Sequence, residues 1–312
     1  MFFLVLGATP FAMAQPRTDV AIARGTEYIS LNSAKESGEV IKSLNLRQAY
    51  IQEVDPLIAT FKELEYLNLM KNKLPNLPSE IGQLKKLETL VCSHNLLQRY
   101  PSEFSNLKSL SYWDSQKNKL VEFDINLAKL KSLRYLNLST NELTILGNND
   151  RQKIRIAYLD ISRNNLTQIW GNNVIFPNLK IANLGFNELT QFEWRKKNCP
   201  QLTELILENN KLTEIPTSIG DFVQLKTLML NHNSISKLPT SISQLKQLEL
   251  LSISFNQFTE IPEVIYELTS LKTLILSGNP LDEAQITAIR NNLPSVQVIF
   301  LPFEQTSDET AQ

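Results

Sequence analysis

LEYLNLMKNKL, residues 64–74, returns in outline as LETLVCSHNLL (87–97), LRYLNLSTNEL (133–143), LTELILENNKL (202–212) and LKTLILSGNPL (271–281). Every start lies a multiple of 23 residues from the others. Filling the gaps gives eleven copies, beginning at Ile41, Leu64, Leu87, Leu110, Leu133, Ile156, Leu179, Leu202, Leu225, Leu248 and Leu271, with no insertion between them. Leucines two apart within a copy, such as Leu67 and Leu69 or Leu136 and Leu138, fall on one side of a short strand. A single coil cannot bury that side against itself, but stacked coils share one interior.

Asparagine fills the ninth position at Asn72, Asn95, Asn118, Asn141, Asn164, Asn187, Asn210, Asn233, Asn256 and Asn279, and the first copy has Ala49 instead. There the chain leaves the strand, and an amide that both donates and accepts serves backbone groups that the turn leaves unpaired. The pattern LxxLxLxxNxL, matched in ten of eleven copies, resembles the leucine-rich repeat family. Second halves such as LPSEIGQL (77–84), IPTSIGDF (215–222) and LPTSISQL (238–245) are similar to the family's 23-residue subclass with a Leu-Pro step, as in secreted bacterial members. The resemblance covers residues 41 to about 293. It implies an α/β leucine-rich repeat solenoid, a right-handed coil with a curved parallel β-sheet on its concave face, used by most of the family to bind proteins.

Residues 1–14, MFFLVLGATPFAMA, read as a signal peptide: an apolar run closed by Ala12-Met13-Ala14, the small-x-small pattern cut by secretory peptidases, although no Lys or Arg precedes it. Residues 15–40 form an amino-terminal linker and cap, with a short helix and turn in EYISLNSAKESGEV (27–40). The solenoid runs over 41–293 and ends in helical apolar spacing at Leu281, Ile286, Ile289 and Leu293. Residues 294–303 supply a capping strand, VQVIFL at 296–301, and 304–312 form a polar tail. Export places the chain in the periplasm, at the cell surface or outside the cell; without a signal peptide it is cytoplasmic.

A formal net charge of -1 over 312 residues offers no basic excess for nucleic acid. No segment reaches the roughly 18 apolar residues of a membrane span. Cys92 and His94, close neighbours in LVCSHN (90–95), are parted by the alternation. Cys92 at position six points into the core as a small hydrophobe with a raised pKa, and His94 at position eight points outward. Cys199 lies about 20 Å from Cys92 by strand spacing, and His232 about 29 Å from His94, so neither a disulfide nor a metal pair is expected. The sequence has no phosphate-binding glycine loop, HExxH, GxSxG or CxxC. We expect no cofactor, no metal and no catalysis; a hydrolase with an unrecognised carboxylate site is the third reading.

What remains is a recognition surface. Positions three, five, seven and eight of each copy are expected to face solvent in columns across the sheet. Tyr112, Tyr135 and Tyr158 stand beside Asp114, Asn137 and Asp160, with Tyr66 and Asn183 further along and Arg163 and Phe186 in column eight. Tyrosine and arginine are enriched at interface hot spots, so a protein or peptide is the expected partner. A glycan stacked on the tyrosines is the alternative, and tyrosines that merely shield the sheet by packing on one another are the plainer one. Ile206, Met229, Leu250, Phe255 and Ile275 form a further apolar patch, either a second interface or ordinary scattered aliphatics. On the opposite wall, position eighteen is apolar at Ile81, Phe104, Ile219, Ile242 and Ile265 but becomes Asp150, Asn173 and Lys196 in three successive copies. Trp170, Phe176, Phe192 and Trp194 are expected to replace the missing packing. Trp113 near Ser115 reads as a large-for-small exchange inside the core.

Overall fold

A computed structural model describes residues 27–146, 152–170 and 173–301. The signal peptide, the polar tail and Asp150 lie outside them. Each copy contributes a three-residue strand at positions three to five, from Ser43–Asn45 and Tyr66–Asn68 through Tyr135–Asn137 to Thr273–Ile275. Neighbouring strands are parallel, and each residue pairs with the one 23 further along, as in Tyr135 with Tyr158 and Leu136 with Leu159. Glu27–Tyr28 and Gln297–Ile299 pair at the two ends and complete a sheet of thirteen strands.

The leucines at positions four and six form one buried cluster that runs the length of the stack. Trp113, fully buried at position four, breaks the pattern together with Ser115 at position six. The space is shared with Tyr100, whose ring meets Trp113 edge-on at 4.8 Å and whose hydroxyl bonds Ser115 Oγ. The exchange is therefore three-way: an indole, a phenol and a hydroxyl where most other copies have aliphatics, with the phenol's polar end provided for.

The asparagines tie coil to coil. Asn95 Nδ2 donates to the carbonyl of Cys92 at 3.1 Å in its own coil and to that of Leu69 at 2.9 Å in the coil before. Its Oδ1 accepts from the Leu74 N–H at 3.1 Å. The same three bonds hold Asn72 at one end and Asn279 at the other. Just before each asparagine, position eight is left-handed in every copy, with φ of 51–57° at ten non-glycine residues from Gln48 to Phe255 and 71° at Gly278. This turn swings the chain off the strand and aims the asparagine inward.

The ends are covered by helices. α1 (Leu31–Glu36) starts at Ser30, whose hydroxyl accepts from the Ser33 N–H, and buries Ala34. α2 (Glu283–Asn292) starts on a reciprocal Asp282–Gln285 capping box and lays Ile286 and Ile289 on the last coil. Between them the convex wall carries short 3-10 turns at Pro56–Thr60, Ser79–Gln83, Ser102–Asn106, Leu127–Lys129, Thr217–Asp221, Thr240–Gln244 and Glu263–Glu267. Five are preceded by a proline, at Pro78, Pro101, Pro216, Pro239 and Pro262, and the first begins on Pro56.

Among the described residues, the coils starting at Leu133, Ile156 and Leu179 have no such turn. Gln152–Lys153 and Val174–Ile175 pair there as a small parallel ribbon. The core is filled by Trp170, Phe176, Phe192 and Trp194, with ring centroids 5.3–5.7 Å apart and the Trp194 Nε1–H donating to the Trp170 carbonyl at 2.8 Å. A surface hollow of about 360 Å³, lined in part by Phe123, Ile125, Ile145, Ile154 and Trp170, lies where the row of 3-10 turns ends. Among the described residues, no helix is long and apolar enough to cross a membrane.

Candidate concave recognition surface

Strand spacing close to the thickness of a stacked aromatic ring decides what column three looks like. Tyr112 and Tyr135 stack with centroids 4.3 Å apart and planes 3° from parallel; Tyr135 and Tyr158 stack at 4.5 Å and 7°. Both faces of Tyr135 are thus covered, and it is only 3% exposed, with Tyr158 at 7%. Tyr112 and Tyr66 are half-buried. The expectation that this column presents open tyrosines is corrected for Tyr135 and Tyr158: in-register rings close on one another. Burial and the neighbouring carboxylate of Asp114 push the Tyr135 phenol up to about 12, and burial raises Tyr112 and Tyr158 as well.

Column five closes the strand ends. Oδ1 of Asp114, Asn137 and Asp160 accepts the backbone N–H two residues on, at Gln116 (3.1 Å), Ser139 (2.9 Å) and Ser162 (2.9 Å). Asn68 and Asn183 do the same for Met70 and Gly185. Asp160 Oδ2 also accepts from the Tyr158 hydroxyl and the Asn183 amide, each at 3.3 Å. Asp114, Asn137 and Asp160 are all buried, again against the expectation of solvent-facing side chains. Desolvation raises both carboxyls, opposed by the N–H and hydroxyl donors around them. Their first role is to end a strand. Among the described residues, no three potential metal ligands come together.

The open chemistry lies in column eight, on the left-handed turns. Arg163 is exposed, and its guanidinium sits 4.0 Å above the ring of half-buried Phe186. His232 and Phe255 stack at 4.2 Å, and Phe255 is 45% exposed. A Cβ at Gly278 would come within 2.3 Å of the Phe255 ring, so the glycine provides both the backbone conformation and the room. The apolar patch is smaller than its composition suggests: Ile206 and Leu250 are buried, Met229 and Ile275 are half-buried, and Phe255 alone of the five is open.

Cys92 and His94 part as the alternation requires. The sulfur lies in the core 3.0 Å from the Tyr100 hydroxyl, with its thiol pushed up to about 12 by burial. His94 is half-buried at the surface, its pKa lowered by burial and then by Lys117, Lys71 and Arg47. Cys92 and Cys199 are both free and buried. Column eight as a left-handed row is a feature the repeat pattern does not announce; its signals are Gly278 and Asn209, the residue types that tolerate this backbone.

Residues 176–312 match a family model described as a leucine-rich repeat region. No curated protein matches the chain by sequence. Among solved structures, the fold is similar to the leucine-rich repeat domain of APL1B, 22% identical over 92% of this chain and 89% of that one, with a TM-score of 0.64. It is also similar to the LRIM1/APL1C complex, 23% identical over 85% and 60% of the two chains, TM-score 0.68. The plant peptide hormone receptor RGFR1 in complex with RGF2 is 24% identical over 84% of this chain, TM-score 0.56. This chain spans 47% of that receptor's length.

Proposed function

We propose that this chain, a leucine-rich repeat solenoid, is a non-enzymatic scaffold that holds a protein or peptide on its concave side, centred on Arg163 and Phe186. The observation that carries the reading is the exposed Arg163 guanidinium stacked on Phe186 beside the tyrosine stack. Arginine and aromatic side chains on a rigid base contribute most to binding, because little order is lost when the partner arrives. Tyr66, Tyr112 and Asn183 form the half-open margin of this site, and Tyr135, Asn137, Tyr158, Asp114 and Asp160 form its floor. Two structures with the same fold, LRIM1/APL1C and RGFR1 with RGF2, are complexes, which is in keeping with the reading. A signal peptide at residues 1–14 makes the scaffold an exported one.

A glycan stacked on the tyrosines fits less well, because sugar stacking needs a free ring face and Tyr135 has none. The test is capture of partners by wild type and by the Arg163→Ala/Phe186→Ala protein, alongside a glycan array. The double variant should lose the captured protein at an unchanged melting temperature. Equal capture by both, or binding seen on the array alone, would sink the proposal. Tyr135→Ala is expected to lower stability by about 2 kcal/mol through loss of two stacking contacts, and so serves as a poor probe of binding.

A further inference from the structure

Five surface lysines are neutralised by one device, a glutamate one coil away. Lys42 pairs with Glu65 at 3.3 Å, Lys119 with Glu142 at 2.8 Å and Lys272 with Glu249 at 2.6 Å; Lys86–Glu63 and Lys211–Glu188 follow the same rule. Each pair is 23 residues apart, so the fold's register makes the partner.

One row gathers cations on successive coils without that device. Lys71, His94 and Lys117 occupy the left-handed position of three successive coils, and Arg47 flanks them at position seven of the coil before. Arg47, Lys71 and Lys117 are exposed, and among the described residues none of them has an ion-pair partner. One coil along from each lysine stands an imidazole or, after Lys117, Thr140, never a carboxylate. The field of the row is felt at His94, where Lys117, Lys71 and Arg47 all oppose the imidazolium. The nearest acid in column five, Asp114, is buried and takes its hydrogen bonds from the Gln116 N–H and, at 3.5 Å, the Gln116 side chain. Arg47 and Lys71 bring like charges onto adjacent coils, with Lys117 two coils further on, an arrangement that an anion relieves.

Resting on the concave-face reading above, we propose that Arg47, Lys71, His94 and Lys117 form the docking edge for an acidic peptide segment of the partner, laid across the coils with its carboxylates on the lysines. Three strand spacings, about 14 Å, match roughly four extended residues. A short acidic stretch suffices. The hydrogen-bonding groups beside the row, Gln116 and Asn45, suit a peptide backbone, and the closed tyrosine faces offer little to a sugar ring.

The probe is a fluorescein-labelled octaglutamate peptide, titrated with the full chain and read by anisotropy. Wild type should bind it saturably, and about 0.5 M salt should abolish binding. Lys71→Gln/Lys117→Gln should weaken it about tenfold or more, whereas Lys86→Gln, which removes a paired lysine, should change nothing. Lys71→Arg/Lys117→Arg, keeping the charge, should restore binding and guards against a folding defect. The inference is overturned if octaglutamate fails to saturate or if Lys86→Gln is as harmful as the double variant. It is equally overturned if a heparin fragment binds more tightly than the peptide through the same lysines, which would make the edge a glycan site. Arg163→Ala/Phe186→Ala should leave octaglutamate binding intact. Failure of the acidic probe with partner capture still lost in that variant would thus end this inference and spare the broader one.

Discussion

The flanking coils and the three central ones solve the same problem in different ways. In the flanks, a proline opens a 3-10 turn and an aliphatic such as Ile81, Ile219 or Ile242 drops into the core. In the centre, Trp170, Phe176, Phe192 and Trp194 fill the volume, and a side-chain bond from Trp194 to the Trp170 carbonyl fixes the wall. Yet the strands facing the other way keep the 23-residue register through both regions. The two walls are under unequal constraint: one must match backbone hydrogen bonds from coil to coil, and the other must only be filled without voids.

The sharpest way to break that comparison is Trp194→Ala, expected to cost about 3–5 kcal/mol in denaturant unfolding, against about 0.5–1.5 kcal/mol for Ile219→Val in a flank. A cost near 1 kcal/mol for the tryptophan would mean that the central wall collapses to fit, and the contrast would be lost.

A smaller effect separates backbone from filling on the concave side. Thr140, branched at Cβ, sits at φ 56°. Thr140→Gly should stabilise the protein by about 1 kcal/mol, since it relieves a left-handed backbone that L side chains resist. A loss of stability would show that the threonine side chain holds the turn by contacts that outweigh the strain.

The least effect concerns Asp114, whose carboxyl is raised by burial. The native state then favours the protonated form, so wild-type stability rises as pH falls through the raised value and the gain is complete below the unfolded carboxyl's value. Asn at this position, as at Asn137 in the next coil, keeps the acceptor for the Gln116 N–H and carries no charge. Asp114→Asn should therefore melt above wild type at about pH 8 and converge on it near pH 3. A gap that is independent of pH would assign the difference to packing.

Much of the fold was legible because its rule is local and repeated. LxL spacing placed Leu67 and Leu69 inside, the ninth-position asparagines foretold the bonds now seen at Asn95, and Trp113 with Ser115 declared an exchange within the core. The recognition surface was legible only by column. Alternation says which face Tyr135 is on, but whether it is open depends on the ring one coil away, a distance set by strand spacing and not by composition. The same holds for lysines: Lys42 finds Glu65 and Lys71 finds His94, a difference that becomes physical once the register is known. The left-handed turn was hidden because nine of its eleven positions carry neither glycine nor asparagine.

Because strand pairing joins each residue to its counterpart 23 places on, one copy's worth of chain is interchangeable currency within the stack. Unequal recombination that duplicates or deletes one such length brings equivalent surfaces together at the seam, so a lineage is free to lengthen or shorten the molecule. Only the capped first and last coils are exempt from that arithmetic, since α1 and α2 each fit a single neighbour.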